Sequence, residues 1–373
     1  MIYFDNAATT IIKPDSVVKA GAYALKHLCA NAGRGSHSAS VKAAKILFEA
    51  RKAVETLVGA DEVIFGFNCT DALNTVIFGT ARRGHVITTA YEHNSVLRPL
   101  RELERRGTID FTVVTPDQNG IINPRDIERA IRPNTYLIAV NHVSNVTGSV
   151  QPVTQIGAIA KKHGILYLVD GAQSVGYIDA NMKQIGCDYL CFSPHKGLHG
   201  PQGIGCLCLR CGAPLTPYRF GGTGTASESI DQPDDIPEGF ECGTIPVDRA
   251  YALIAAAHTH EEIPLNVRRS LGTCGEYIRD ELRKISGVTL YGKYNILPSI
   301  ICFNIEGMDA ATVGDILGEQ YDVAVRCGLH CAPLCHKYLG TINTGAVRAS
   351  LSYHNTMDEA QFFVKAVREI ASK

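Results

Sequence analysis

Residues 165–176 read ILYLVDGAQSVG, and residues 187–205 read CDYLCFSPHKGLHGPQGIG. ILYLVD is a short apolar run rich in β-formers, and it ends on an aspartate followed by a glycine turn. Such a run is too short for a buried helix and has no polar alternation, so it reads as a strand covered on both faces. Working outward, TYLIAVN (135–141), CDYLCFS (187–193) and GIGCLCL (203–209) repeat the pattern. Upstream, DEVIFGF (61–67), HVITT (85–89) and DFTVV (110–114) alternate with amphipathic stretches that begin near Thr70 and Glu92. Strands alternating with helices predict an α/β fold built on a mainly parallel sheet.

Two helical stretches, roughly 15–28 and 38–58, precede this region and flank the turn-rich CANAGRGSHSAS; they read as a leading arm. Beyond the last apolar strand, FGGTGTASESIDQPDDIPEGFECGT (220–244) reads as a functional loop, because it is short for a tether and closes in a Gly243-Thr244 turn. A long helical region follows from near Pro246. From about Val288 the order strand, strand, helix, strand, helix, strand, helix suits a smaller α+β domain ending in the amphipathic MDEAQFFVKAVREI. The expected division is an amino-terminal arm (1–14) on the side of the smaller domain, a large domain (15–260) and a small domain (261–373).

The chain has 373 residues, 36 Lys plus Arg against 37 Asp plus Glu, and 13 cysteines. Near-neutral charge without a basic run argues against nucleic acid as a partner. No stretch reaches the ~20 apolar residues of a membrane span, and MIYFDNAATT lacks the basic-then-apolar order of a signal peptide. An odd cysteine count in a long chain fits a reducing compartment, so the cytoplasm is expected.

Lys196 sits just after an apolar strand, where its ammonium would be costly unless paired or deprotonated; a desolvated lysine is a Schiff-base nucleophile. A snorkelling loop lysine is the ordinary alternative. Asp170 ends a buried strand and needs a cationic partner, for which a protonated pyridine nitrogen would serve; capping the next helix is an equal reading of that residue alone. FNCTDALN (67–74) places Cys69, Thr70 and Asp71 after a strand at a helix start, where backbone amides and the Thr70 hydroxyl suit a phosphate, with Ser193 and His195 completing the cup. Cys327, Cys331 and Cys335, with His330 and His336 interspersed, form a C-x3-C-x3-C that a metal reading would also fit. Cys206, Cys208 and Cys211 raise the same question.

In order, DNAATT, NCTDALN, YEHNS, HVSNVTG, VDGAQSVG, SPHKGLHGP and FECGT resemble the class V aminotransferase family of pyridoxal phosphate enzymes over nearly the whole chain. VRCGLHCAPL (325–334) resembles the R-x-G-x-H-C-A signature of group II, Suf-type cysteine desulfurases and selenocysteine lyases. The resemblance implies pyridoxal phosphate fold type I, with pyridoxal 5′-phosphate attached at Lys196, Asp170 on its pyridine nitrogen, Gln173 at the ring oxygen and His93 stacked on the ring. Asn145 would lie near the ring oxygen and the substrate. Thr70, Ser193 and His195 would stand on the phosphate, Cys69 and Asp71 would also bind the cofactor, and Thr244 would reach the phosphate of a second subunit in a homodimer. Arg348, on an apolar strand-like stretch, would clamp the substrate carboxylate, which a bidentate guanidinium suits on its own chemistry. Arg326 and His330 would join Arg348 and Asn145 on the substrate side. No resident metal is implied.

The sequence differs from the Suf-type pattern in three places: the 220–235 loop, the single histidine of YEHNS, and Cys327 in place of a small hydroxyl residue. The expected activity is conversion of L-cysteine to L-alanine, with sulfur taken by Cys331 as a persulfide and passed to an acceptor protein or small thiol. Cys331, Lys196 and His93 are the expected catalytic residues, with His330, Arg326 or a helix amino terminus lowering the thiol pKa. Selenocysteine lyase, another β-lyase, an aminotransferase or an epimerase are the alternatives on the same cofactor. A carrier that binds sulfur or metal through its thiols is the alternative without it.

Overall fold

The computed structural model describes residues 1–33 and 35–372; Arg34, within the turn-rich segment, and Lys373 lie outside the described residues. A seven-stranded sheet has the order Glu62–Gly66, Gly205–Leu209, Tyr189–Phe192, Leu166–Asp170, Thr135–Asn141, Gly84–Thr89, Ile109–Val114. Gly205–Leu209 runs antiparallel to both neighbours, and the other adjacent pairs are parallel. The carboxyl ends of six strands therefore share one edge, where helix amino termini and loops converge.

Both faces of the sheet are covered, which explains the uninterrupted apolar runs. Ile138, Tyr167, Val169 and Leu190 enter one core, while Leu137, Leu168, Tyr189 and Cys191 enter the other. The helix Ser38–Val58 buries Ala43, Ile46, Leu47, Ala50, Val54 and Val58, a stripe at helical spacing. It packs on the helix Val247–Glu262, which also carries Asp15–His27. The helix Ser38–Val58 thus belongs to the large core, while Asp15–His27 packs on Val247–Glu262 through a small cluster of Val17 with Ala252 and Ala256. The long helical region from Pro246 is two helices, Val247–Glu262 and Leu265–Leu282. Pro264 enforces the break by disfavouring helical backbone at Ile263, which has φ −58° and ψ 118°.

A second sheet, Arg326–Gly328, Ala346–Ser350, Ile300–Ile305, Val288–Tyr291, is antiparallel throughout. Ile301, Phe303, Val347, Phe363 and Val367 form its core, and Phe4 from the amino-terminal segment joins them. Ile2–Tyr3 pairs in parallel with Val323–Ala324, tying the start of the chain to this unit. The last helix, Met357–Ala371, starts with a capping box between Thr356 and Glu359.

Close packing under the sheet depends on Gly157, where a Cβ would lie 2.0 Å from the Ile185 carbonyl oxygen. Gly157→Ala is expected to cost about 1–3 kcal/mol through forced separation of the helix Val153–His163 from Met182–Ile185, read as a lower thermal midpoint.

Candidate active site

At the carboxyl edge of the large sheet lies a cavity of about 210 Å³, lined by Asp170, Lys196, Cys69, Thr70, His93 and Asn145 among others. Asp170 ends its strand only 6% exposed. Its Oδ1 accepts from the Ala172 N–H at 2.9 Å and from the Cys69 thiol at 3.7 Å. Burial pushes its carboxyl above the ordinary range, and these donors and nearby Lys196 oppose the shift only in part. Burial likewise lowers the Lys196 ammonium pKa, with Asp170 and the Cys69 thiol opposing and Arg348 and Arg326 assisting. A carboxylate and an amine so enclosed form a site that lacks a cationic partner for the acid.

His93 caps the helix Asn94–Arg105, its Nδ1 accepting from the Ser95 N–H at 3.1 Å. This bond assigns the ring proton to Nε2. Burial, with Lys196 and the surrounding arginines, depresses its pKa to about 4, so the ring is neutral. Behind it stands Glu92, fully enclosed, whose Oε1 accepts from the Thr89 hydroxyl at 2.6 Å and the Asn141 N–H at 3.0 Å while Oε2 has no partner. Burial raises its pKa to about 8. The sequence reading missed Glu92; a lone acid between a strand end and the following helix was the available signal.

The helix Cys69–Gly79 points its amino terminus at the cavity. The Cys69 N–H donates to Ser193 Oγ at 2.8 Å, and the hydroxyls of Thr70 and Ser95 lie 2.7 Å apart. Gly205 lets this turn sit on the adjacent strand, since a Cβ there would lie 2.3 Å from the Asn68 carbonyl carbon. Cys69, Thr70 and Ser193 therefore meet as expected. Asp71 is a correction. Its carboxylate turns away to the Phe67 N–H at 2.8 Å, the Tyr218 hydroxyl at 2.9 Å and Arg219 at 3.2 Å, and its own N–H is taken by Asn68. An acid facing the cavity would repel the anion that the helix terminus favours.

His195 lines the cavity but its Nδ1 is tied to Thr9 Oγ1 at 2.9 Å. Its carbonyl gathers Thr10 and Lys13, whose Nζ donates at 3.0 Å. Lys13, lowered to about 8 by burial, is a second residue the sequence reading did not single out. Gln173 donates through Nε2 to the Ala7 carbonyl at 2.8 Å, while its Oε1 and Asn145 Oδ1 are buried without partners. Orphaned polar atoms, an under-partnered carboxylate, an enclosed amine and a helix amino terminus around one cavity fit an aldehyde-bearing pyridinium phosphate.

Arg348 is 2% exposed, donating from NH1 to the Asn145 carbonyl at 2.9 Å and from NH2 to Asp5 Oδ1 at 2.8 Å, with Nε free. Asp5 was not foreseen from sequence; a buried guanidinium requires such a partner. Arg326 faces Arg348 across the strand pair and is exposed. Cys331 is exposed, and its carbonyl accepts from the Asn94 N–H at 2.7 Å, beside His93. The His330 carbonyl accepts from Asn145 Nδ2 at 2.7 Å.

The His330 ring engages protein groups through both of its nitrogens. Its Nδ1 pairs with His336 and its Nε2 with the Arg326 carbonyl, and burial depresses its pKa to about 3. Cys327 packs against Gly314 and Cys335 is buried in the large core, so the three thiols of the C-x3-C-x3-C spacing face different surroundings. Cys206 and Cys208 also lie in that core, while Cys211 is exposed. Thr244 is exposed on a separate groove that Arg51 and Thr223 also line.

Residues 2–363 match the pattern of the family described as Aminotransferase class-V. A probable cysteine desulfurase of Methanothermobacter thermautotrophicus is 37% identical over 99% of this chain and 94% of its own length. A cysteine desulfurase of Haloferax volcanii is 30% identical over 98% and 88%. Among solved structures, apo cysteine desulfurase from Thermococcus onnurineus NA1 superposes with a TM-score of 0.91 at 33% identity, covering 100% of this chain and 94% of that one.

Glu92 makes stability depend on pH with a defined sign. Its native pKa of about 8 lies above the ordinary value, so the native state holds more protons in between. This contribution is complete below the unfolded pKa and is lost as pH rises through about 8, at up to about 1.4 kcal/mol per pH unit. Denaturant midpoints between those limits are expected to fall with pH more steeply in the wild type than in Glu92→Gln.

Proposed function

Because the chain belongs to the aminotransferase class-V family, whose members use pyridoxal 5′-phosphate, we propose that it is a cysteine desulfurase converting L-cysteine to L-alanine, with Cys331 taking the sulfur as a persulfide. One observation carries the reading. Cys331, an exposed thiol from the small domain, is hydrogen-bonded through its carbonyl to Asn94, next to His93 on the rim of the cavity that holds Lys196 and Asp170.

Lys196, Asp170, Gln173, His93, Thr70 and Ser193 would hold the cofactor. When bound, it supplies an electron sink for the pair left at the substrate α carbon. Asp170 furnishes the buried negative charge that keeps a pyridine nitrogen protonated. His93 presents a neutral ring over the cavity, so no second cation opposes that protonation. Arg348, with Nε free and NH2 on Asp5, holds the substrate carboxylate, and the Asn145 carbonyl fixes the guanidinium plane. Lys196, desolvated toward its neutral form, takes the α proton. The Cys331 thiolate attacks the substrate sulfur: an S–S bond forms as the C–S bond breaks, and that bond's electron pair stays on the carbon side, which is then protonated to alanine. The persulfide passes its outer sulfur to an acceptor thiol.

The reading extends to a homodimer in which Thr244 reaches the partner's phosphate site, supported by its exposed position on a groove that Arg51 and Phe48 also line. It also extends to L-selenocysteine as a second substrate, to a division at 1–14, 15–260 and 261–373, and to a cytoplasmic location. Among the described residues no helix is long and apolar enough to cross a membrane.

Purified protein given L-cysteine and a reductant is expected to release equal alanine and sulfide. Cys331→Ala is expected to lose both by roughly a hundredfold or more, as removal of a nucleophile does, with cofactor absorption kept. Full-rate alanine from that variant would refute the persulfide role, and pyruvate with ammonia would instead identify a β-elimination. Lys196→Ala is expected to abolish turnover and covalent retention of the cofactor, scored by intact mass after borohydride reduction.

A further inference from the structure

The proposed chemistry leaves unused a buried pair of histidines directly beneath the Cys331 loop. His330, His336 and Thr341 are 5%, 0% and 4% exposed. The two rings stack with centroids 5.4 Å apart and planes 24° apart. His330 Nδ1 lies 3.2 Å from His336 Nε2, His336 Nδ1 lies 2.8 Å from Thr341 Oγ1, and His330 Nε2 lies 3.2 Å from the Arg326 carbonyl.

Proton counting orders this chain. A carbonyl only accepts, so His330 Nε2 carries the proton toward Arg326 and its Nδ1 is an acceptor. His336 must then donate through Nε2, which leaves its Nδ1 to accept from the Thr341 hydroxyl. Every ring nitrogen is satisfied with both rings neutral, and a proton added to His330 Nδ1 would face the His336 Nε2–H, another donor. Burial holds both neutral, depressing His330 to about 3 and His336 to about 4.

The backbone above needs such support. His330 and Cys331 have φ of +49° and +57°, two successive left-handed residues that are not glycine. They persist where surrounding contacts over-determine them. From outside the loop, the Asn94 N–H and Asn145 Nδ2 grip the two carbonyls. From beneath, the His336 ring, set on the helix Pro333–Leu339, grips the His330 side chain.

We infer that His336 is a positioning residue for the reaction: with Thr341 it locks the His330 ring, and through it the left-handed His330–Cys331 backbone that presents the thiol at the cavity rim. The inference rests on Cys331 being the sulfur acceptor. It also gives a role to the His330 and His336 spacing, whose facing ring nitrogens lie 3.2 Å apart.

The test compares cofactor-loaded wild type, His336→Phe, His336→Gln and Thr341→Val by hydrogen exchange of the 326–335 peptide, cofactor absorption, and kcat and KM for L-cysteine. His336→Phe and Thr341→Val are expected to exchange roughly tenfold faster at the amides of residues 329–332. In both, kcat is expected to drop about tenfold with KM within about twofold and absorption unchanged. His336→Gln keeps an N–H for His330 Nδ1 and is expected to recover most of both. Wild-type exchange in both disrupting variants overturns the inference, and so does a drop in kcat without faster exchange. If His336→Phe fails to fold, Thr341→Val, which removes one hydroxyl, decides alone on the same criteria. A fully active Cys331→Ala would sink the desulfurase reading instead, while the exchange data still decide whether the histidines lock the loop.

Discussion

Enclosure of the Asp170 carboxylate at the end of the central strand is the constraint on which the rest of the site depends. A buried acid served by one amide and a thiol is electrostatically incomplete, and the cavity beside it is where a cation completes it. The surroundings keep that demand unanswered by the protein. His93 is neutral, Lys196 is pushed toward its amine, and Arg348 spends its charge on Asp5. For Asp170, Lys196 and His93 desolvation is the largest cause, so one physical cause, exclusion of water from the sheet edge, prepares acid, amine and imidazole together.

The two cores divide the labour. The large sheet supplies a rigid floor, with Asp170, Ser193 and the helix beginning at Cys69 fixed by backbone bonds and by glycines such as Gly205 that permit close approach. The smaller unit contributes Arg348 from the strand Ala346–Ser350 and Cys331 from the segment that follows its antiparallel partner Arg326–Gly328. Arg348 reaches across to the Asn145 carbonyl, while Asn145 Nδ2 reaches back to the His330 carbonyl, so one asparagine joins the Arg348 guanidinium to the Cys331 loop. A rigid floor with a pinned, exposed thiol suits transfer of an atom out of an enclosed site to a partner outside it.

Much of this was legible from the chain alone. Apolar runs identified the strands because both sheet faces are covered, and Asp170 and Lys196 stood out as charges where burial makes charge costly. The helices before the sheet were legible as helices, but not what each packs on, since amphipathicity says that a face is buried and not against what. The break at Pro264 lay within one apolar period that masked it. Asp71 looked like a cofactor residue by its position in the turn, yet which way a side chain leaves the first helical turn depends on Tyr218 and Arg219, about 150 residues away.

What the sequence by itself determined is chemistry that depends on residue type and local spacing: the α/β alternation, the lysine and aspartate at strand ends, and a cysteine in a glycine-rich and histidine-rich loop. What only the tertiary structure decided is the state of those groups. That Glu92 retains its proton, that His330 faces His336 rather than the thiol, and that Asp5 partners Arg348 are outcomes of burial and of contacts between distant segments. Desolvation and long-range hydrogen bonding are properties of the packed chain, and no local pattern of residues encodes them.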